Sequence, residues 1–130
     1  MAEPGLELDV EVVGDALPAP RVQALAAIAL GTAGIADGHL AVEFVDAGRI
    51  AELNEAHRGR SGPTDVLSFP IDGEDGATGG PLELGDIVVC PQHTVDIREA
   101  IVHGALHLTG MDHETDDGEM LALQAEILSW

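Results

Sequence analysis

The sequence predicts a single α+β domain, with four short strands and four helices spread over residues 1–130. Three observations predict it. Short runs alternate apolar and polar residues, as half-buried strands do. Longer runs repeat their apolar residues every three to four positions, as helices do. Segments rich in Gly, Pro and Asp separate the two kinds. At 130 residues the chain is long enough to bury a core, and no repeat or second domain is visible.

Leu6 to Val13 alternates apolar and acidic residues and reads as the first strand, followed by a turn from Gly14 to Pro20. Arg21 to about Ile35 is rich in Ala, Leu and Ile and reads as a largely buried helix. Leu40 to Val45 is a second strand. Asp46 caps a helix from Gly48 to His57, with Ile50, Leu53 and His57 on one face and Gly59 as its stop. Asp65 to Ile71 is a third strand, with Leu67, Phe69 and Ile71 on one side and Val66 and Ser68 on the other. Pro70 puts that strand at a sheet edge, because proline donates no ladder hydrogen bond. Asp72 to Pro81 reads as a polar hairpin tip, and Leu84 to Val89 as the fourth strand. A helix from about Thr94 to Leu108 and a last helix from Asp116 to Leu128, striped by Met120, Leu123 and Ile127, complete the chain.

Charge and composition narrow the function classes. The chain holds 24 acidic residues, no lysine and five arginines (Arg21, Arg49, Arg58, Arg60 and Arg98), for a net charge of −19. Such a surface repels polyanions at long range, the reverse of the balance nucleic-acid binders usually show. No apolar run approaches the roughly 20 residues of a membrane span. Residues Met1 to Glu7 lack the basic and apolar regions of a signal peptide, so a cytoplasmic protein is expected. Cys90 is the only cysteine and follows Ile87, Val88 and Val89, which predicts a buried structural thiol.

The chemistry concentrates in His103-Gly-Ala-Leu-His107-Leu-Thr-Gly-Met-Asp-His113. His103 and His107 lie one helical turn apart and share a face. Gly110 most easily leaves a helix in the left-handed conformation, so the chain can fold His113 back to the same point. Three neutral imidazoles with a fourth position open make a catalytic metal centre. Zinc suits this donor set, and nickel, copper and iron are chemically possible. The spacing equals that of the metzincin peptidases, yet Gly104 stands where they carry the glutamate base. A peptidase reading therefore lacks its proton acceptor.

Further blocks join this motif to a family. His103 to His113 followed by Glu114, Leu53-Asn54 through Arg58-Gly59 with Pro63 to Pro70, and Leu84 to Val88 resemble the YbeY family of bacterial metal-dependent endoribonucleases. Met120 to Leu128 fits that family's closing helix, and the blocks cover about two thirds of the chain. The resemblance implies a zincin-like fold with a four-stranded mixed sheet, an edge strand lining the cleft and a metal-bearing helix. It implies one Zn2+ per chain on His103, His107 and His113, and it places the family's cleft arginine at Arg58. It also implies single-strand cleavage in ribosomal RNA maturation and ribosome quality control. The partners it implies are ribosomal RNA, the small ribosomal subunit and its proteins, and a ribosome-assembly GTPase. The chain departs from the family in having only twelve residues between Cys90 and His103, in Ser61-Gly62 before the Pro-Thr-Asp block, and in its acidity.

Read as chemistry, a zinc ion on neutral ligands keeps its double charge, lowers the pKa of bound water to about 7 and polarises a phosphoryl oxygen. Arg58 adds a guanidinium that grips two phosphate oxygens, or alternatively only stabilises a helix C-terminus. Ser68 is the second candidate catalytic residue: on the strand face opposite Leu67 and Phe69 it either lines the cleft or is an ordinary strand serine. No general base is evident: Asp112 and Glu114 flank a ligand, and Asp65 reads as a turn or capping residue. His57 and His93 read as structural or surface residues. The alternative function is a non-catalytic ribosome-binding assembly factor whose metal is structural.

Overall fold

The computed structural model describes residues 8–35, 38–70, 83–111 and 118–129. Its elements are β1 (Leu8–Val13), α1 (Ala19–Gly31), β2 (Gly38–Phe44), α2 (Ala47–Arg58), β3 (Val66–Pro70), β4 (Glu83–Val89), α3 (Ile97–Leu108) and α4 (Glu119–Leu128). A single 3-10 turn, Pro91–His93, joins β4 to α3. The strands form one sheet in the order β1-β2-β4-β3. β1, β2 and β4 run parallel, and β3 is antiparallel to β4, so the sheet is mixed as expected. β3 is an edge strand, where Pro70 leaves no ladder position unfilled.

Strand alternation sorts the apolar residues onto two faces. Val10, Leu40, Val42, Val66, Ile87 and Val89 belong to the main core, with Val22 and Leu30 of α1, Ile101 and Leu106 of α3, and Met120 and Ile127 of α4. Fully burying each Leu or Ile contributes about 1.5–3 kcal/mol, so this layer dominates stability. Leu67, Val88 and Cys90 face the other way and pack on Ile50 of α2, with Leu53 and Phe69 at the margin. The expected split of Val66 and Ser68 from Leu67 and Phe69 is thus the split between two packed layers. Cys90 is buried inside the smaller one.

The helices differ from expectation at their ends: α2 runs one residue further each way, at Ala47 and Arg58, and α4 starts at Glu119 after Gly118 at a φ of 100°. α1 starts at Ala19 rather than Arg21, because Pro20 fits the first turn, where its missing N–H costs nothing. It stops at Gly31 rather than near Ile35, because Gly34 takes a positive φ of 80° and Ile35 N–H closes back on Leu30 O at 3.1 Å. α3 starts at Ile97 rather than Thr94, because Asp96 caps it through a 3.0 Å bond from Arg98 N. Thr94 instead donates its hydroxyl to Cys90 O at 2.7 Å and closes the preceding turn. In α2 the cap is the expected one: Asp46 Oδ1 accepts from Arg49 N at 2.8 Å, and Gly59 ends the helix.

The hairpin tip expected at 72–81, Ile71, the start of the last helix at Asp116, and Asp112, His113 and Glu114 lie outside the described residues. Among the described residues, no helix is long and apolar enough to cross a membrane.

Candidate metal centre

α3 lies almost in contact with the sheet beneath it. Its Ala100, Ile101, Val102, Ala105 and Leu106 are buried, while His103 and His107 emerge half-buried at the margin of that face. Gly104 sits at the point of closest approach. A Cβ there would meet Ile87 Cγ2 at 2.6 Å and Ser68 Oγ at 3.1 Å. Glycine is therefore needed for space, and the position that carries a base in metzincins points into β3 and β4. Ser68 uses the same proximity: its hydroxyl donates to Gly104 O at 2.9 Å and ties the edge strand to the helix.

Both imidazoles are held by their Nδ1 atoms. His107 Nδ1 lies 3.0 Å from Met111 O, which can only accept, so the proton sits on Nδ1. The α3 terminus supplies that carbonyl: Gly110 takes a φ of 101°, and Met111 N–H bonds to Leu106 O at 3.3 Å, folding residue 111 back over the last turn. His103 Nδ1 lies 2.8 Å from Gln124 Oε1 on α4. Each ring then presents an Nε2 lone pair, and the two Nε2 atoms face each other at 3.2 Å. Two ligands at about 2.05 Å from one ion in tetrahedral geometry would stand ~3.3 Å apart, so the pair fits the edge of a zinc site. Among the described residues no group of three or more metal-binding side chains is found, and the expected third member, His113, lies outside them.

The other candidates are arranged around this pair. A depression of about 280 Å³ opens beside His103, lined by Asp65, His93, Asp96, Glu99, Leu121 and Gln124 among others. Asp65 accepts from Val66 N at 2.8 Å and from Thr64 Oγ1 at 3.3 Å, which fits a turn residue. Arg58 is the exposed last residue of α2, outside the hydrogen-bonded imidazole cluster. Next to it His57 packs edge-on against Phe69, with ring centroids 4.8 Å apart. α2 thus packs on the face of the sheet opposite α3. Asn54 fixes the loop beyond it, donating to Gly62 O at 3.0 Å from a site 5% exposed.

Sequence reasoning missed Gln124, a polar residue within the Met120 to Ile127 apolar stripe that is only 7% exposed. His93, read as a surface or structural residue, is exposed, and it lines the depression beside His103.

A mixed sheet thus carries a helix whose two imidazoles bring their Nε2 atoms within 3.2 Å of each other. The chain matches the family model described as Endoribonuclease YbeY over residues 19–130. It is 42% identical over 129 residues to Endoribonuclease YbeY of Clavibacter sepedonicus, covering 84% of each chain. It is 43% identical over 117 residues to that of Salinispora tropica, covering 70% of this chain and 73% of the other. For the Corynebacterium glutamicum ATCC 13032 relative, identity is 39% over 114 residues, covering 72% of this chain and 58% of that one. The chain thus spans little more than half the length of the Corynebacterium relative. The solution structure of TM1509 from Thermotoga maritima is similar in fold, with a TM-score of 0.53 and 29% identity, covering 92% of this chain and 86% of that one. The chain belongs to the YbeY endoribonuclease family.

Proposed function

We propose that this protein is a zinc-dependent, single-strand-specific endoribonuclease that acts on ribosomal RNA in maturation and ribosome quality control. The observation that carries the metal reading is the facing of His103 and His107 Nε2, with each Nδ1 engaged by an oxygen. Family membership supplies the RNA substrate class. His103, His107 and, by its spacing, His113 would hold one Zn2+. When bound, such an ion supplies positive charge to phosphoryl oxygens and makes water more acidic.

The chain's own residues do the rest. Arg58 grips a phosphodiester through two parallel N–H donors, a local attraction that the net charge of −19 does not cancel. Ser68 serves the site by holding α3 against the edge strand through Gly104 O. RNA strands reach the site along β3, an edge strand of the sheet among the described residues. The proposed location is the cytoplasm. The proposed partners are ribosomal RNA, the small ribosomal subunit and its proteins, and a ribosome-assembly GTPase.

Arg58→Glu is expected to lower single-strand RNA cleavage about 10²- to 10³-fold, the loss typical of one transition-state donor, while zinc stoichiometry stays unchanged. Cleavage by the parent protein that survives complete zinc removal would sink the proposal.

A second reading, a ribosome-binding assembly factor with a structural metal, is favoured by one observation: the packing of Gly104 leaves no carboxylate base at that position. A folded metal-site variant that still binds ribosomes and supports maturation would decide for it.

A further inference from the structure

The geometry points to Gln124 as a positioning residue of the metal centre, whose side-chain oxygen holds His103 in the one tautomer and orientation that present Nε2 to a cation. This rests on the metal reading above and extends it to a residue on a different helix.

Gln124 and Asn54 are the buried polar side chains among the described residues. Burying an amide costs free energy unless it is hydrogen-bonded. Gln124 lies on the face of α4 that also carries Met120 and Ile127, one turn from each, and those two enter the main core. A leucine would suit that stripe better, so the amide needs a reason. The structure offers His103 Nδ1, 2.8 Å from Gln124 Oε1 and 21 residues away in sequence.

Consider what that bond selects. With the oxygen toward the ring, the proton sits on Nδ1 and the lone pair on Nε2. With the amide turned over, its N–H would donate to Nδ1 and the ring proton would move to Nε2. It would then lie in the 3.2 Å space between His103 and His107, where a cation would have to sit. The two imidazoles are served alike but by different means. His107 takes its acceptor from the main chain at Met111, which no substitution of residue 111 removes, whereas His103 takes its acceptor from one replaceable side chain. Outer partners of this kind fix ligand orientation and raise ligand basicity.

The test measures zinc affinity of the full chain by competition with a chromogenic chelator, and the absorption bands of the cobalt-substituted protein. Gln124→Met has a similar shape and lacks a strong acceptor. It is expected to lose 10- to 100-fold in zinc affinity and to shift the cobalt bands, while the zinc-free protein melts no lower than the parent. Gln124→Glu keeps an acceptor and is expected to bind zinc at least as tightly as the parent. Gln124→Leu provides a second acceptor-free shape if the Met variant folds poorly. Parental zinc affinity in an acceptor-free variant overturns the inference, as does equal loss in Gln124→Glu and Gln124→Met. Equally weak zinc binding by the parent and by His107→Ala instead overturns the metal reading itself.

Discussion

Gly104→Glu is expected to abolish cooperative folding, although it completes the metzincin pattern around His103 and His107. The first added carbon already falls 2.6 Å from Ile87 Cγ2, and Ile87 is fully buried in the main core. Overpacking of this kind costs about 1–3 kcal/mol. The carboxylate then enters an apolar layer without a cationic partner, at a further cost of several kcal/mol, approximately. Ser68 must also give up Gly104 O. A domain of this size has only about 5–15 kcal/mol to lose. Gly104→Ala separates the two effects. Its better helix propensity returns up to about 1 kcal/mol, so a net loss of roughly 1–2 kcal/mol is expected. Urea unfolding followed by circular dichroism checks both, and a parental midpoint for Gly104→Glu would refute the close-packing argument. The glycine thus decides the chemistry indirectly: the helix lies too near the sheet to carry a base at this position.

The second large effect is on the metal. His107→Ala is expected to leave the protein folded, to remove zinc and to reduce RNA cleavage to background. His107 is half-buried at the edge of the core, and its bond to Met111 O contributes only about 0.5–1.5 kcal/mol. One Nε2 cannot replace two, so the loss of affinity should far exceed the loss of stability. His103→Ala should bind no better but should be the less stable of the two, because it leaves the buried Gln124 amide without its bond. Metal analysis of the purified variants, with thermal melts of the zinc-free forms, distinguishes these outcomes. Stoichiometric zinc and intact cleavage in His107→Ala would refute the assignment.

The features legible in the sequence are the local ones. Period-two alternation placed Val66 and Ser68 opposite Leu67 and Phe69, and the structure puts these pairs in different packed layers. Asp46, Gly59 and Gly110 act where a capping or stop residue was expected. Pro70 correctly marked the edge strand. What could not be read depends on distance in the fold. The meaning of Gly104 lies in Ile87 and Ser68, residues far from it in sequence that only the sheet brings beneath it. Gln124 falls within an apolar stripe, and nothing local names His103 as its partner. The start of α3 shifted by three residues because Asp96 and Thr94 compete to close the same turn, and Asp96 caps the helix while Thr94 bonds backward to Cys90. An RNA substrate and a role for Arg58 were implied only by the resemblance, not by the local pattern.

α4 gives the site a lifetime of its own. This last helix docks chiefly on α3, with a smaller contact to α1, while the sheet is held together by its own strands and by α1 and α3. Proteins open in parts, and a helix resting chiefly on another helix can come away while the strands stay paired. Each such opening would remove the oxygen from His103 Nδ1 and leave His107 with its main-chain partner. The exchange of an ion held by the imidazoles would then depend on how often α4 leaves α3 and α1, not on how often the sheet unfolds.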